Sequence, residues 1–130
     1  MQEKLVHTLK RNLTGLIRKV DISGREVYIE TGKENIYEVC MFVFGNIDCT
    51  LLSVFANDER ALNGSFAVYY SFAVKNAGTV LTLKTYVSED AAALPSLSCE
   101  IPSASLFERE IADMFGISFE GHPDQRELVF

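Results

Sequence analysis

Ser65-Phe66-Ala67-Val68-Tyr69-Tyr70-Ser71-Phe72-Ala73-Val74 leads through Asn76-Ala77-Gly78 into a second run, Thr79 to Val87. Phe66, Val68, Tyr70, Phe72 and Val74 fall on one face at a period of two. Ala67, Tyr69, Ser71 and Ala73 fall on the other, as a half-buried strand requires. The Asn-Ala-Gly interruption is turn chemistry, so residues 79–87 return as the antiparallel partner. The Phe/Tyr stripe is read as a packed face under a helix rather than a ligand platform.

On the N-terminal side, residues 47–56 are rich in strand formers and apolar on both faces, which predicts a central strand. Asn57-Asp58-Glu59-Arg60 opens a polar turn reaching Gly64. Ile36, Val39, Cys40 and Val43 form the inward stripe of a helix over 33–44, stopped at Gly45-Asn46. Residues 16–22 and 26–30 alternate as two short strands about Ser23-Gly24, a tight hairpin. Leu5, Val6, Leu9 and Leu13 give an amphipathic helix over 3–13, with Lys4, Lys10 and Arg11 opposite and Gly15 at its end. His7, beside apolar positions of this helix, is read as structural or solvated. Residues 88–103, punctuated by Pro95 and Pro102, read as a connector mostly without regular structure. The expectation is an α+β, two-layer domain with a mixed five-stranded sheet, in the order helix, two strands, helix, three strands. Residues 1–104 form its core. Residues 105–130, a C-terminal helix plus extended tail, belong to the same domain.

That helix is Ser105-Leu106-Phe107-Glu108-Arg109-Glu110-Ile111-Ala112-Asp113-Met114-Phe115, closed by Gly116 at a left-handed position. On a helical wheel Leu106, Phe107, Ile111, Met114 and Phe115 share one half, and Glu110 falls inside it. A carboxylate there needs a partner or loses its charge. His122 and Arg126 are the nearest candidates if the tail folds back. Ser105 and Glu108 have capping-box spacing, and Arg109 and Asp113 lie one turn apart on the polar half. Glu110→Ala is therefore expected to harm folding or assembly more than Asp113→Ala. After Gly116, Ile117 and Phe119 alternate with Ser118 and Glu120 before the turn at Gly121-His122-Pro123-Asp124.

The composition excludes several function classes. The 130 residues suit one domain with its own core. A net charge of −6 speaks against a nucleic-acid-binding surface. No apolar run reaches the length of a membrane span, and Met1-Gln2-Glu3-Lys4 does not open like a signal peptide. Cys40, Cys49 and Cys99 are unrelated in spacing, as buried free thiols in a reducing compartment would be. Two histidines and no Cys-x-x-Cys, P-loop or dinucleotide fingerprint leave no ligand set for a metal or cofactor. Glu110, His122 and Asp124 have the residue types of an acid–base site but lack an activated nucleophile.

Glu108-Arg109-Glu110, Asp113-Met114-Phe115-Gly116-Ile117, Gly121-His122-Pro123-Asp124 and Arg126 together resemble the signature of the "30 kDa" subunit of respiratory complex I. This is a subunit of the proton-translocating NADH:quinone oxidoreductase, and the same domain occurs in energy-converting, membrane-bound nickel–iron hydrogenases. The likeness is densest over 108–129 and rests on element order upstream. Leu106-Phe107 stands where the family often has a Trp-containing aromatic pair, and the short C-terminus is more like the hydrogenase branch. The resemblance implies a cofactor-less structural and assembly subunit of an oxidoreductase complex, not catalytic alone. It would dock on the hydrogenase-large-like subunit and the iron–sulfur subunit, at the cytoplasmic face of the membrane without inserting into it. Those partners would carry the iron–sulfur clusters and, in the hydrogenase branch, nickel–iron. Glu108, Arg109, Glu110, Asp113, Phe115, Gly116, His122, Pro123, Asp124 and Arg126 would organise the interface and the tail. Two alternatives are a stand-alone soluble interaction domain, such as a homodimer pairing sheet edges, and a small hydrolase using Glu110 and His122.

Overall fold

A computed structural model describes residues 2–123. The elements run α1 (Gln2–Asn12), β1 (Ile17–Ser23), β2 (Glu26–Thr31), α2 (Ile36–Asn46), β3 (Cys49–Glu59), α3 (Arg60–Asn63), β4 (Ser65–Val74), β5 (Thr79–Ser88), β6 (Ala93–Pro95), α4 (Ala104–Phe115) and β7 (Ser118–Glu120). Five strands make a mixed sheet in the order β1-β2-β5-β4-β3. Only the β2–β5 pair is parallel within it.

The β4–β5 hairpin is the centre of this sheet. Phe66, Val68, Tyr70, Phe72 and Val74 are all buried, as the alternation predicts. Their partners Leu81, Leu83, Thr85 and Val87 complete the same face. The turn holds Asn76 at φ 67° and Gly78 at φ 60°, the left-handed region those residue types tolerate best. On this face α2 seats Ile36, Val39, Cys40 and Val43, and α1 adds Val6, Leu9 and Leu13 to the same core. Both stripes are the ones their 3.6-residue periodicity marks.

The opposite face carries no helix stripe. Its side chains cover one another instead. Phe55 stacks on Tyr69 with ring centroids 4.8 Å apart. The Lys84 ammonium lies 5.4 Å from the Tyr69 ring centroid and 4.6 Å from that of Tyr86. Ser71 and Thr82 share a hydroxyl hydrogen bond of 2.9 Å. An amphiphilic surface of this kind tolerates water without helix cover.

Two expectations need correction. The strand over 47–56 is not central: β3 lies at the sheet edge, and β5 takes the place between β2 and β4. Its apolar outer side chains are exposed, with Leu52 at a register shift and Phe55 on the open face. The connector also contains more structure than its prolines suggest. A 3-10 turn at Glu89–Ala91 is followed by β6, which pairs in parallel with β7. The cysteines are all free, but of the three Cys40 alone is buried, Cys49 being half-buried and Cys99 exposed.

Candidate functional site

α4 begins after Pro102, where Ser103 occupies the cap position without a side-chain hydrogen bond. Ser105 therefore sits inside the first turn, and the capping box with Glu108 does not form. The helix stops where its sequence says: Gly116 has φ 72° and its N–H donates to the Ala112 carbonyl oxygen at 2.9 Å. Phe107, Ile111, Ala104, Phe115, Glu108 and Ala112 make the inward side, an arc of about 140° on the wheel. Ala104, Glu108 and Ile111 are buried, and Phe115 meets the Phe66 ring edge-on at 5.6 Å.

The buried carboxylate is thus Glu108, not Glu110. Glu108 is 0% exposed, whereas Glu110 faces solvent. Leu106 and Met114 caused the shift in phase, since both are apolar yet 54% and 75% exposed. Counting them as core turns the arc toward Glu110 and away from Glu108.

Glu108 is held by the strand-to-helix connector. Ser96 Oγ and Ser98 Oγ donate to Oε1 at 2.6 and 2.5 Å, and the Leu97 N–H donates to Oε2 at 2.8 Å. Ser98 N–H in turn donates to Ser96 Oγ at 3.0 Å. Three donors on one carboxylate offset much of its desolvation. The fourth neighbour is His122, whose Nε2 stands 3.9 Å from Oε1 and 3.2 Å from both Ser105 Oγ and the Ser105 carbonyl oxygen. His122 is buried, so the turn after β7 is tied to the first turn of α4. The tail does fold back, but onto Glu108.

The negative charge reaches into the main core. Burial, then the Glu108 carboxylate, pushes the Cys40 thiol well above its ordinary pKa. Burial, then Cys40 and Glu108, does the same to the Tyr70 hydroxyl. Tyr70 Oη has no hydrogen-bond partner among the described residues. A phenol that is buried, neutral and unpaired contributes ring packing only. Tyr70→Phe is accordingly expected to leave stability within about 1 kcal/mol of the parent or to raise it, measured by urea unfolding. A loss above about 2 kcal/mol would reveal a partner for the hydroxyl.

The other signature residues divide by side of the helix. Arg109 and Phe115 are half-buried, and Asp113 and Pro123 are exposed. Glu110 lies in a shallow groove with Phe55, Ala56, Met114 and Phe115. α4 stands between it and His122, so the structure does not bring these two together as an acid–base pair. Asp124 and Arg126 lie outside the described residues. Ser96, Leu97 and Ser98 are the site residues the sequence did not reveal. Their only signal is an uncharged Ser-x-Ser between two prolines. Fully enclosed and held by three hydrogen bonds, the Glu108 carboxylate offers no approach to a substrate. Its chemistry is that of an anchor.

Among the described residues no group of three or more His, Cys, Asp or Glu side chains is placed to hold a metal ion, and no helix is long and apolar enough to cross a membrane.

Residues 29–130 match the family described as "Respiratory-chain NADH dehydrogenase, 30 Kd subunit". Hydrogenase-4 component G of Escherichia coli (strain K12) is 35% identical over 129 residues, which is 98% of this chain and 23% of that protein. An NADH-quinone oxidoreductase subunit of Ruegeria pomeroyi is 32% identical over 112 residues, 84% of this chain and 56% of that one. The chain therefore spans about a quarter to a little over half of these relatives. Among solved structures, the membrane-bound sulfane sulfur reductase, described as an archaeal respiratory membrane complex, contains a chain that superposes with a TM-score of 0.87 at 20% identity. That match covers 99% of this chain and 75% of the other. A trypsin-resistant fragment (1-134) of Nqo5 superposes with a TM-score of 0.79 at 24% identity, covering 95% of this chain and 98% of the fragment. These two likenesses show the fold.

Proposed function

The chain belongs to the respiratory-chain NADH dehydrogenase 30 Kd subunit family, and on that premise we propose that it is a cofactor-less assembly subunit of a complex I-like membrane-bound oxidoreductase. Its place is the peripheral arm at the cytoplasmic face, docked on a hydrogenase-large-like subunit and an iron–sulfur subunit. Those partners hold the iron–sulfur clusters and, in a hydrogenase, the nickel–iron centre. The observation that carries this reading is the division of α4 into two sides. Glu108 and His122 lock one side and the turn after β7 to the domain, while Leu106, Glu110 and Met114 are left outward on the other. A fold that fixes its signature helix so firmly, with its one buried carboxylate enclosed, is suited to presenting a surface. Component G of the E. coli hydrogenase-4 and the NADH-quinone oxidoreductase relatives support the choice of complex. The test is affinity purification of the tagged full chain from native membranes in mild detergent. The expected result is co-recovery of a large subunit and an iron–sulfur subunit in stoichiometric amounts. Recovery of the chain alone, or only as a homodimer by sedimentation, would overturn the proposal.

A further inference from the structure

Leu106, Glu110 and Met114 recur at successive turns of α4, and the last two lie beside the outer strand β3. Phe55, Ala56, Glu110, Met114 and Phe115 line the groove between them. Leu106 and Met114 are 54% and 75% exposed, so the helix side carries large apolar side chains open to solvent, while the Phe55 ring turns to the open face of the sheet against Tyr69. Scattered exposed apolar residues are ordinary, but an exposed Met114 rimming a groove along an uncovered edge strand suits an interaction surface. Glu110 sits in that groove, and its side chain forms no salt bridge or hydrogen bond within the described residues.

Glu110 is the carboxylate that lines the groove. Asp58 at the end of β3 is already paired with Arg60 at 2.8 Å. The open face of the sheet is a weaker candidate because its cation is already taken up by Tyr69 and Tyr86. An occupant of the groove must supply apolar side chains for Met114 and Phe115 and a cation for Glu110. Covering Glu110 with an apolar segment alone would strand a charge and disfavour docking.

We infer that this groove receives a segment of a neighbouring subunit in which one Lys or Arg, flanked by apolar residues, pairs with Glu110. The inference rests on the assembly role proposed above and names the face and the chemistry of the contact. The E. coli hydrogenase-4 relative fits this view, since the matched region there is 23% of a longer chain and has other polypeptide attached to it.

The test uses the full chain in its native membranes. A photo-crosslinking phenylalanine analogue is placed at Met114, at Leu106, or at Leu62, which is 84% exposed on α3 and serves as the control. Crosslinks from positions 114 and 106, and not from 62, should reach a partner-subunit peptide that contains a Lys or Arg among apolar residues. In parallel, Glu110→Lys should lower the recovered complex by more than about tenfold and Glu110→Gln by less. Asp21→Lys, exposed on β1 at the far edge of the sheet, should leave recovery within about twofold. The isolated variants should melt with the parent, because Glu110 is exposed. Partner subunits that co-purify while crosslinks arise only from position 62, or while Glu110→Lys changes nothing, would overturn the groove and leave the assembly role standing. Crosslinks to a second copy of this chain would overturn the named occupant. Failure of the parent chain to recover any partner would remove both proposals together.

Discussion

Glu108→Ala lowers the free energy of unfolding by about 3–5 kcal/mol, the largest effect expected from any charged position in this chain. The reason is the set of groups it leaves behind. Two serine hydroxyls and the Leu97 N–H aim at the Glu108 carboxylate in a buried space. With alanine none of the three keeps an acceptor, and each orphaned donor costs about 1–3 kcal/mol unless the connector rearranges. Glu108→Gln keeps the shape but turns an amide N–H₂ toward one of these donors, for a loss of about 1–3 kcal/mol. Glu110→Ala, two residues further along and exposed, stays within about 0.5 kcal/mol. Urea unfolding of the three variants checks the order. Equal stability of Glu108→Ala and Glu110→Ala would mean that the enclosed carboxylate contributes nothing.

That contrast also shows how far the sequence can be read. The main core is plain in it: α2's Ile36, Val39, Cys40 and Val43 and β4's alternating aromatics are all buried. Here each apolar residue has the same cause, the domain's own core. On α4 the apolar residues have two causes. Phe107, Ile111 and Phe115 pack inward, while Leu106 and Met114 stay outside. A wheel sums them as one set and rotates the inferred face. Glu108 could be counted as polar surface because its partners are not local: they lie ten to twelve residues back, in a segment whose prolines announce only a break.

The misplacement of β3 has a similar origin. Sequence neighbours β3, β4 and β5 pair as a meander, and that much the turns disclose. Which end of the meander joins β2 decides the edge, and no local signal marks it. The outcome follows from burial. Val27 and Ile29 of β2 run beside Leu81 and Leu83 of β5 in parallel register. β5 buries both its faces, with Thr82 on one side and Leu81, Leu83 and Val87 on the other. β3 keeps Thr50, Leu52 and Phe55 exposed. Apolar character on both faces of a strand therefore does not by itself place that strand inside the sheet.

Phe119→Ala is the second large effect, a loss of about 3–5 kcal/mol, and the reason reaches beyond its cavity. Phe119 is 4% exposed on β7 and lies opposite Leu94 of β6, with Ile117 buried beside it. The strand it seats does more than pack. The Ser96 N–H donates to the Glu120 carbonyl oxygen at 2.8 Å, while the same residue's hydroxyl donates to Glu108 at 2.6 Å. His122, two residues further on, returns to Ser105 and Glu108. Ser96 thus joins the tail to the helix through one short connector, and loosening either side frees the other. The double variant Phe119→Ala with Glu108→Ala should accordingly be destabilised by less than the sum of the single losses, with a coupling of about 1 kcal/mol or more. Phe119→Ala with Val6→Ala, on α1 at the other end of the chain, should add within about 0.5 kcal/mol. Additivity in both cycles would mean that tail and helix are held independently, and that Glu108 anchors α4 without governing β7 or the turn at His122.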